Sequence, residues 1–202
     1  AELITNVSHD IKTPLTSIVN YIDLLKKEEI HNPKAQEYLD VLDRQSKRLK
    51  KLTEDLVEAS KASSGALNVE LQPTDVNVLL SQIEGEYQER LAACHLTLVT
   101  QPPAPGTMIQ ADSRLLSRVM DNLVSNVCKY ALENTRVYVT AAVRDGQAVI
   151  SFKNVSRDEL NISPDELMER FVRGDASRHS EGSGLGLSIA RSLVQLQGGT
   201  FA

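Results

Sequence analysis

Three groups of residues have the types and spacing that chemistry needs. The first is His9, with Asp10 beside it, Thr13 four residues on, and Pro14 after that. An imidazole is a nucleophile when one ring nitrogen is a free acceptor and the other is held as a donor. A neighbouring carboxylate such as Asp10 can enforce that tautomer. The second group is Asn122 and Asn126, four apart and so on one side of a helix. Asparagine oxygen is a hard ligand suited to Mg²⁺, which keeps waters and phosphate oxygens as its other ligands. Lys129 can reach a phosphate as a point charge. The third is Glu181-Gly182-Ser183-Gly184-Leu185-Gly186, whose alternating glycines let backbone approach an anion. A helix following such a loop adds free N–H groups and the positive end of its dipole. Between the last two lie Arg170, Arg173 and Arg178, able to stabilise charge on a transferring phosphate. Taken singly, each group has a plainer account: an exposed histidine does nothing, paired amides solvate a helix face, and arginines line a surface.

The elements that must position these groups fall into two unlike parts. Residues 1–62 read as two long helices. Ile4, Val7, Ile11, Leu15, Ile18, Ile22 and Leu25 recur in steps of three and four, a coiled-coil-like seam. At about 100° per residue, His9 points roughly 165° from the middle of that seam, towards solvent. Thr13 follows one turn along the same exposed side. Pro14 removes one helical hydrogen bond and frees the Asp10 carbonyl, so a local kink is expected. Asn32-Pro33 marks the break between the helices. A second seam follows at Ala35, Tyr38 or Leu39, Leu42, Leu49, Leu52, Leu56 and Ala59. Such a hairpin cannot bury its stripes well alone, so a homodimeric four-helix bundle is expected.

Residues 60–66 are small and polar and read as a linker or hinge, and the linker between the domains is assigned to 63–72. Residues 73–202 read as an α/β mixture. Helices are expected over 76–94 and 113–131, and a strand over 95–100 followed by a proline-rich loop. Alternating strands flank Asp145-Gly146, a hairpin turn. Ser163-Pro164 opens another helix, and a last one follows the glycine loop and ends at Gly198-Gly199.

Composition narrows the field. The 202 residues carry a net charge of -5, against nucleic acid as the main partner. Hydrophobic residues make up 41%, enough for real cores. No apolar run approaches the ~18 residues of a membrane helix, and no signal peptide is visible. Cys94 and Cys128 form no CxxC pair, so neither a disulfide framework nor a zinc cluster is expected, and a reducing compartment is the default. His31, His95 and His179 lack metal-ligand spacing.

In combination the motifs resemble a known family. Ser8-His9-Asp10-Ile11-Lys12-Thr13-Pro14-Leu15-Thr16 closely resembles the phospho-accepting box of sensor histidine kinases. Asp121-Asn122-Leu123-Val124-Ser125-Asn126-Val127-Cys128-Lys129-Tyr130 resembles their asparagine box, and the glycine loop their second glycine box. Glu169-Arg170-Phe171-Val172-Arg173 resembles the phenylalanine box opening a mobile ATP lid, with Phe171 either a hinge anchor or core. The resemblance spans nearly the whole chain. It implies a helical hairpin followed by a two-layer α/β sandwich of the GHKL ATPase type. It implies autophosphorylation of His9 by Mg²⁺-ATP and transfer to an aspartate of a response regulator. Asp10 then assists the kinase step and Thr13 the dephosphorylation of the partner. Nucleotide contacts are implied for Asn122, Asn126, Lys129, Tyr130, Asn154, Arg173, Gly182, Gly184, Leu185 and Gly186, with Asn126 and Asn122 at the metal. It further implies the cytoplasmic part of a larger membrane-anchored bacterial sensor, lacking a C-terminal strand or two.

Two features depart from the related ATPases. Their water-activating glutamate is replaced by Asn122, a poor base, which favours transfer to histidine over hydrolysis. In the first glycine box, Asn154 stands where the family's aspartate meets adenine, and Ser156 and Asp158 replace the two glycines. Asn154 can still accept a hydrogen bond, without charge. Two other readings stay open: a phosphotransfer scaffold whose nucleotide site has decayed at these positions, and a bare ATPase.

Overall fold

The computed structural model describes residues 2–28, 30–63, 65–159, 163 and 184–202, with side chains described from Leu15 onward except at Ser63. The chain divides into two units, residues 1–67 and the residues from Asn68 on, with Gly184 and Leu185 grouped with the first.

The first unit is a hairpin of α1 (Glu2–Lys27) and α2 (Pro33–Ser63). Its turn is built as the sequence predicts. The Asn32 side chain accepts from the backbone N–H of Lys34 at 3.0 Å and of Ala35 at 3.4 Å, and Pro33 takes the first helical position, where no donor is needed. Across the helices, Lys26 Nζ reaches Asp43 at 2.7 Å and Asp40 at 3.0 Å, and Lys47 closes on Asp43 at 2.8 Å. These ammonium groups hold the Asp43 carboxyl below its ordinary range, chiefly through the Lys26 hydrogen bond. The apolar seams divide in two. Leu15, Ile22 and Leu39 are buried between the helices, while Leu42, Leu49 and Leu56 stand 52%, 51% and 53% exposed. Ile18, Tyr21, Leu25 and Tyr38 are exposed as well.

The second helix runs into the stretch 60–66, expected as a linker or hinge. α2 continues through Ser63, because small polar residues do not end a helix. Gly65 does: its φ of +67° turns the chain, and the Ala66 N–H returns to the Lys61 carbonyl at 3.1 Å.

The second unit places helices against a sheet. β2 (Thr97–Gln101), β4 (Arg136–Arg144) and β5 (Gln147–Lys153) form a sheet of order β2-β4-β5, parallel then antiparallel. The β4–β5 turn is the predicted one, with φ of +50° at Asp145 and +75° at Gly146. α3 (Val76–Ala93) and α4 (Ser113–Tyr130) cover one face. Ile83, Tyr87, Leu91, Met120, Val124, Val127 and Val137 pack there as a single core. α5 (Gly186–Leu196) buries Ile189, Ala190 and Leu193 and lies along α4. The helix expected from Ser163-Pro164 lies outside the described residues.

Two strands escaped the sequence reading: β1 (Gln72–Asp75) and β3 (Met108–Ala111), paired antiparallel with Pro73 opposite Gln110. The strand expected from His95 starts at Thr97, because His95 sits in the turn after α3 with φ of +57°. A buried carboxylate organises the junction of β3 with α4. Asp112 caps α4 by accepting from the N–H groups of Arg114 and Leu115 at 3.0 and 3.3 Å. It also accepts from the Glu70 N–H at 3.0 Å, and its own N–H donates to Gln197 at the end of α5. The Glu70 bond, joined by Arg114 and the cap, brings its pKa down to about 2.

Candidate active site

In the first unit, positions 9, 10 and 13 lie on the backbone of α1, which runs as one helix through Pro14. Positions 9 and 13 are therefore one turn apart. The side chains of His9, Asp10 and Thr13, and with them the solvent-facing direction expected for His9, lie outside the described residues.

In the second unit the candidate site forms around α4. Its apolar stripe, Leu115, Val119 and Val124 among others, faces the core and fixes the helix's rotation. Asn122 falls at the margin of that stripe and is only 7% exposed. It is thus no solvated polar face, and its burial requires partners. Its Nδ2 donates to the Arg118 carbonyl one turn back at 2.9 Å. That bond turns Oδ1 towards the start of α5: a Cβ built on Gly186 would stand 3.4 Å from it. The asparagine helix and the glycine-loop helix thus meet at Asn122 and Gly186. Asn126 is half-buried one turn further on, followed by exposed Lys129 and half-buried Tyr130.

Of the loop entering α5, Gly184 and Leu185 are described. Gly184 adopts φ of +69°, a conformation that favours glycine, and Leu185 anchors the next position by burial. α5 is long enough for its first N–H groups to present an anion-binding end. Gly182, Arg170, Phe171, Arg173 and Arg178 lie outside the described residues.

The segment that departs from the family pattern is tied to the far end of α4. The Leu132 N–H donates to the Val155 carbonyl and the Arg157 N–H to the Tyr130 carbonyl, both at 2.8 Å. Ala131 and Ser156 pair as an isolated antiparallel bridge. The Ser156 hydroxyl donates to the Asp158 carbonyl at 2.7 Å. Without glycines the loop is held by hydrogen bonds instead. Asn154 is exposed, its Nδ2 only 3.4 Å from the Val155 carbonyl.

α4 therefore gathers three sequence-predicted elements: its own asparagines, the start of α5 at its middle, and the loop of Asn154, Ser156 and Asp158 at its end. The sequence gives no sign of the Asn122–Arg118 bond or of this tethering, since both depend on contacts formed only in the fold. Asn126 is half-buried and its amide oxygen is of a type that suits Mg²⁺. Among the described residues, no group of three or more His, Cys, Asp or Glu is placed to hold a metal. No described helix is long and apolar enough to cross a membrane.

Comparison with known proteins follows the same division. Residues 1–65 match the His Kinase A (phospho-acceptor) domain, and residues 111–202 match the histidine kinase-, DNA gyrase B-, and HSP90-like ATPase domain. The sensor protein VanS of Enterococcus faecium is 29% identical, over 98% of this chain and 52% of VanS. The sensor histidine kinase WalK of Bacillus subtilis is 28% identical, over 98% of this chain and 33% of WalK. The chain thus spans about half or less of these relatives. Among solved structures, full-length ShkA in complex with AMPPNP has the same fold, with a TM-score of 0.79 at 24% identity, over 98% of this chain and 41% of that one. Histidine kinase ThkA in complex with response regulator TrrA follows at a TM-score of 0.59 and 20% identity, over 98% and 55%.

Proposed function

We propose that the chain is the catalytic core of a two-component sensor histidine kinase, that it phosphorylates itself on His9 from ATP, and that it passes the phosphoryl group to an aspartate of a response-regulator receiver domain. The observation that carries this reading is the meeting of Asn122 with Gly186. It unites the amide-bearing helix and the phosphate-approaching backbone in one site. ATP is the substrate: the bond from the γ-phosphorus to the ADP oxygen breaks, and a bond to an imidazole nitrogen of His9 forms. Asp10 holds the ring in the tautomer that leaves the attacking nitrogen unprotonated. The N–H groups at the start of α5 and the Lys129 ammonium take up phosphate charge, and Arg173 adds to it. Tyr130, Gly182, Gly184 and Leu185 shape the pocket, and Asn154 accepts from the base. Mg²⁺, which Asn126 with Asn122 behind it would hold, supplies charge neutralisation to the phosphates when bound.

The same reading assigns residues 1–62 to dimerisation and phosphotransfer, 63–72 to a linker and 73–202 to nucleotide binding. The exposed positions Leu42, Leu49 and Leu56, seven apart, support a homodimeric bundle. A water positioned at Thr13 would serve the reverse, phosphatase reaction. The receiver-domain partner and an anchored bacterial sensor around this core belong to the proposal, supported by the ThkA complex and the sensor relatives.

Titration with a non-hydrolysable ATP analogue, with and without Mg²⁺, tests the nucleotide half. Saturable binding that strengthens with Mg²⁺ and is lost in Asn126→Asp supports the kinase. No saturable binding to folded protein would leave the scaffold reading, with its decayed site at Asn154, Ser156 and Asp158.

A further inference from the structure

The two cysteines, far apart in sequence, come together behind the candidate nucleotide helix. Cys94 caps the end of α3, where its N–H bonds to the Leu91 carbonyl at 3.0 Å. Cys128, in the last turn of α4, points its thiol at the Arg90 carbonyl, one turn before Cys94, at 3.9 Å. Cys94 is also among the groups that act on the Cys128 thiol. Both thiols are half-buried and pack against the same core. Arg90 also reaches Asp121 on α4 at 3.3 Å, so the two helices are already drawn together here. By helical spacing, Cys128 lies on the opposite side of α4 from Asn126.

We propose that Cys94 and Cys128 form a reversible dithiol–disulfide site, and that its oxidation weakens nucleotide binding. This rests on the reading of α4 as the nucleotide helix. The oxidant class is a low-molecular-weight disulfide. The Cys94 thiolate attacks one of its sulfurs, a mixed disulfide forms, and one small thiol leaves with a proton. Cys128 gives its proton to solvent and attacks the Cys94 sulfur. The protein disulfide forms, the mixed disulfide breaks and a second small thiol leaves. The protein loses two electrons and two protons, and the small disulfide gains them. The order follows from environment. Burial, above all, pushes the Cys128 thiol up to about 12, so it holds its proton and acts second.

A disulfide holds its two Cα atoms ~4.4–6.8 Å apart, so closing it ties the last turn of α4 to the end of α3. That turn carries Asn126, Lys129 and Tyr130, and the Tyr130 carbonyl holds the loop at Arg157. Oxidation therefore acts on both the phosphate and the base ends of the site.

The test equilibrates the whole chain in glutathione redox buffers, blocks free thiols, and reads the linkage by mass. An ATP analogue is then titrated against reduced and oxidised protein. The expected result is an intramolecular Cys94–Cys128 link with a loss of about 2 Da. Affinity should fall by about fivefold or more, recovering on reduction. Cys94→Ser and Cys128→Ser should keep the reduced affinity in every buffer. Glutathione adducts or intermolecular links alone would overturn the proposal, as would a disulfide that leaves affinity unchanged. Reduced protein that binds no nucleotide would instead refute the nucleotide-helix reading, while the mass measurement still decides whether the dithiol closes.

Discussion

The helical hairpin and the α/β unit treat their apolar residues in opposite ways. In the α/β unit the periodic positions of α4 and α5 are sealed: Val124, Ile189 and Leu193 are almost wholly inaccessible. In the hairpin the described seam positions are only partly covered, and three leucines at seven-residue intervals stay about half exposed. A sheet with helices on it offers a surface wide enough to cover a helical stripe from several sides. Two helices offer each other one line of contact. Among the described residues, the helices of the α/β unit bury their apolar stripes, whereas those of the hairpin leave part of theirs exposed.

This contrast gives predictions, the largest effect first. Replacing Leu49 and Leu56 together by glutamate puts two carboxylates on the exposed stripe. It should weaken self-association by about two orders of magnitude or more, read by light scattering across a dilution series. Nucleotide binding should stay intact. An unchanged oligomer would place the interface elsewhere. Leu193→Ala, in the sealed unit, should cost about 3 kcal/mol in denaturant unfolding of that unit. Leu42→Ala, measured on dissociated chains, should cost far less. Equal losses would erase the distinction.

Finer effects follow inside the α/β unit. A Cβ at Gly199 would stand 2.8 Å from Val194 Cγ1, so Gly199→Ala should lower stability by about 1–2 kcal/mol through overpacking. Asp112→Asn should cost about 1 kcal/mol near neutral pH. Its pH dependence has a definite sign. The carboxyl is held at about 2 in the fold, below its ordinary 3.8, so its contribution is complete above about pH 4 and fades as pH falls towards 2. The gap in melting temperature between wild type and variant should therefore be full at pH 6 and shrink at pH 3. A constant gap would mean that charge on Asp112 is immaterial.

Sequence reading succeeds where one local signal decides. The 3.6-residue periods of α1, α2 and α4, the Asn32-Pro33 break and the Asp145-Gly146 turn each carry their own cause, and the structure has them all. It fails where the cause is remote. β1 and β3 are four residues each, β1 contains Pro73, and each exists only because the other is beside it. Residues 60–63 look like linker by composition, yet the helix ends only where Gly65 can take a positive φ. At the site, the residue types were legible, including the loss of glycine at Ser156 and Asp158. The burial of Asn122 was not, because a polar residue carries no apolar signal of its own. Nor was the approach of Cys94 to Cys128, which depends on how α3 and α4 pack.

The central claim is that this core moves the γ-phosphoryl group of ATP onto His9. Incubation with γ-labelled ATP and Mg²⁺, comparing wild type with His9→Ala, tests it most directly. The account predicts acid-labile, base-stable label on the wild type and none on the variant, with both proteins dimeric and binding nucleotide equally. Label that survives the substitution, or a folded, nucleotide-binding wild type that takes up none, would contradict it.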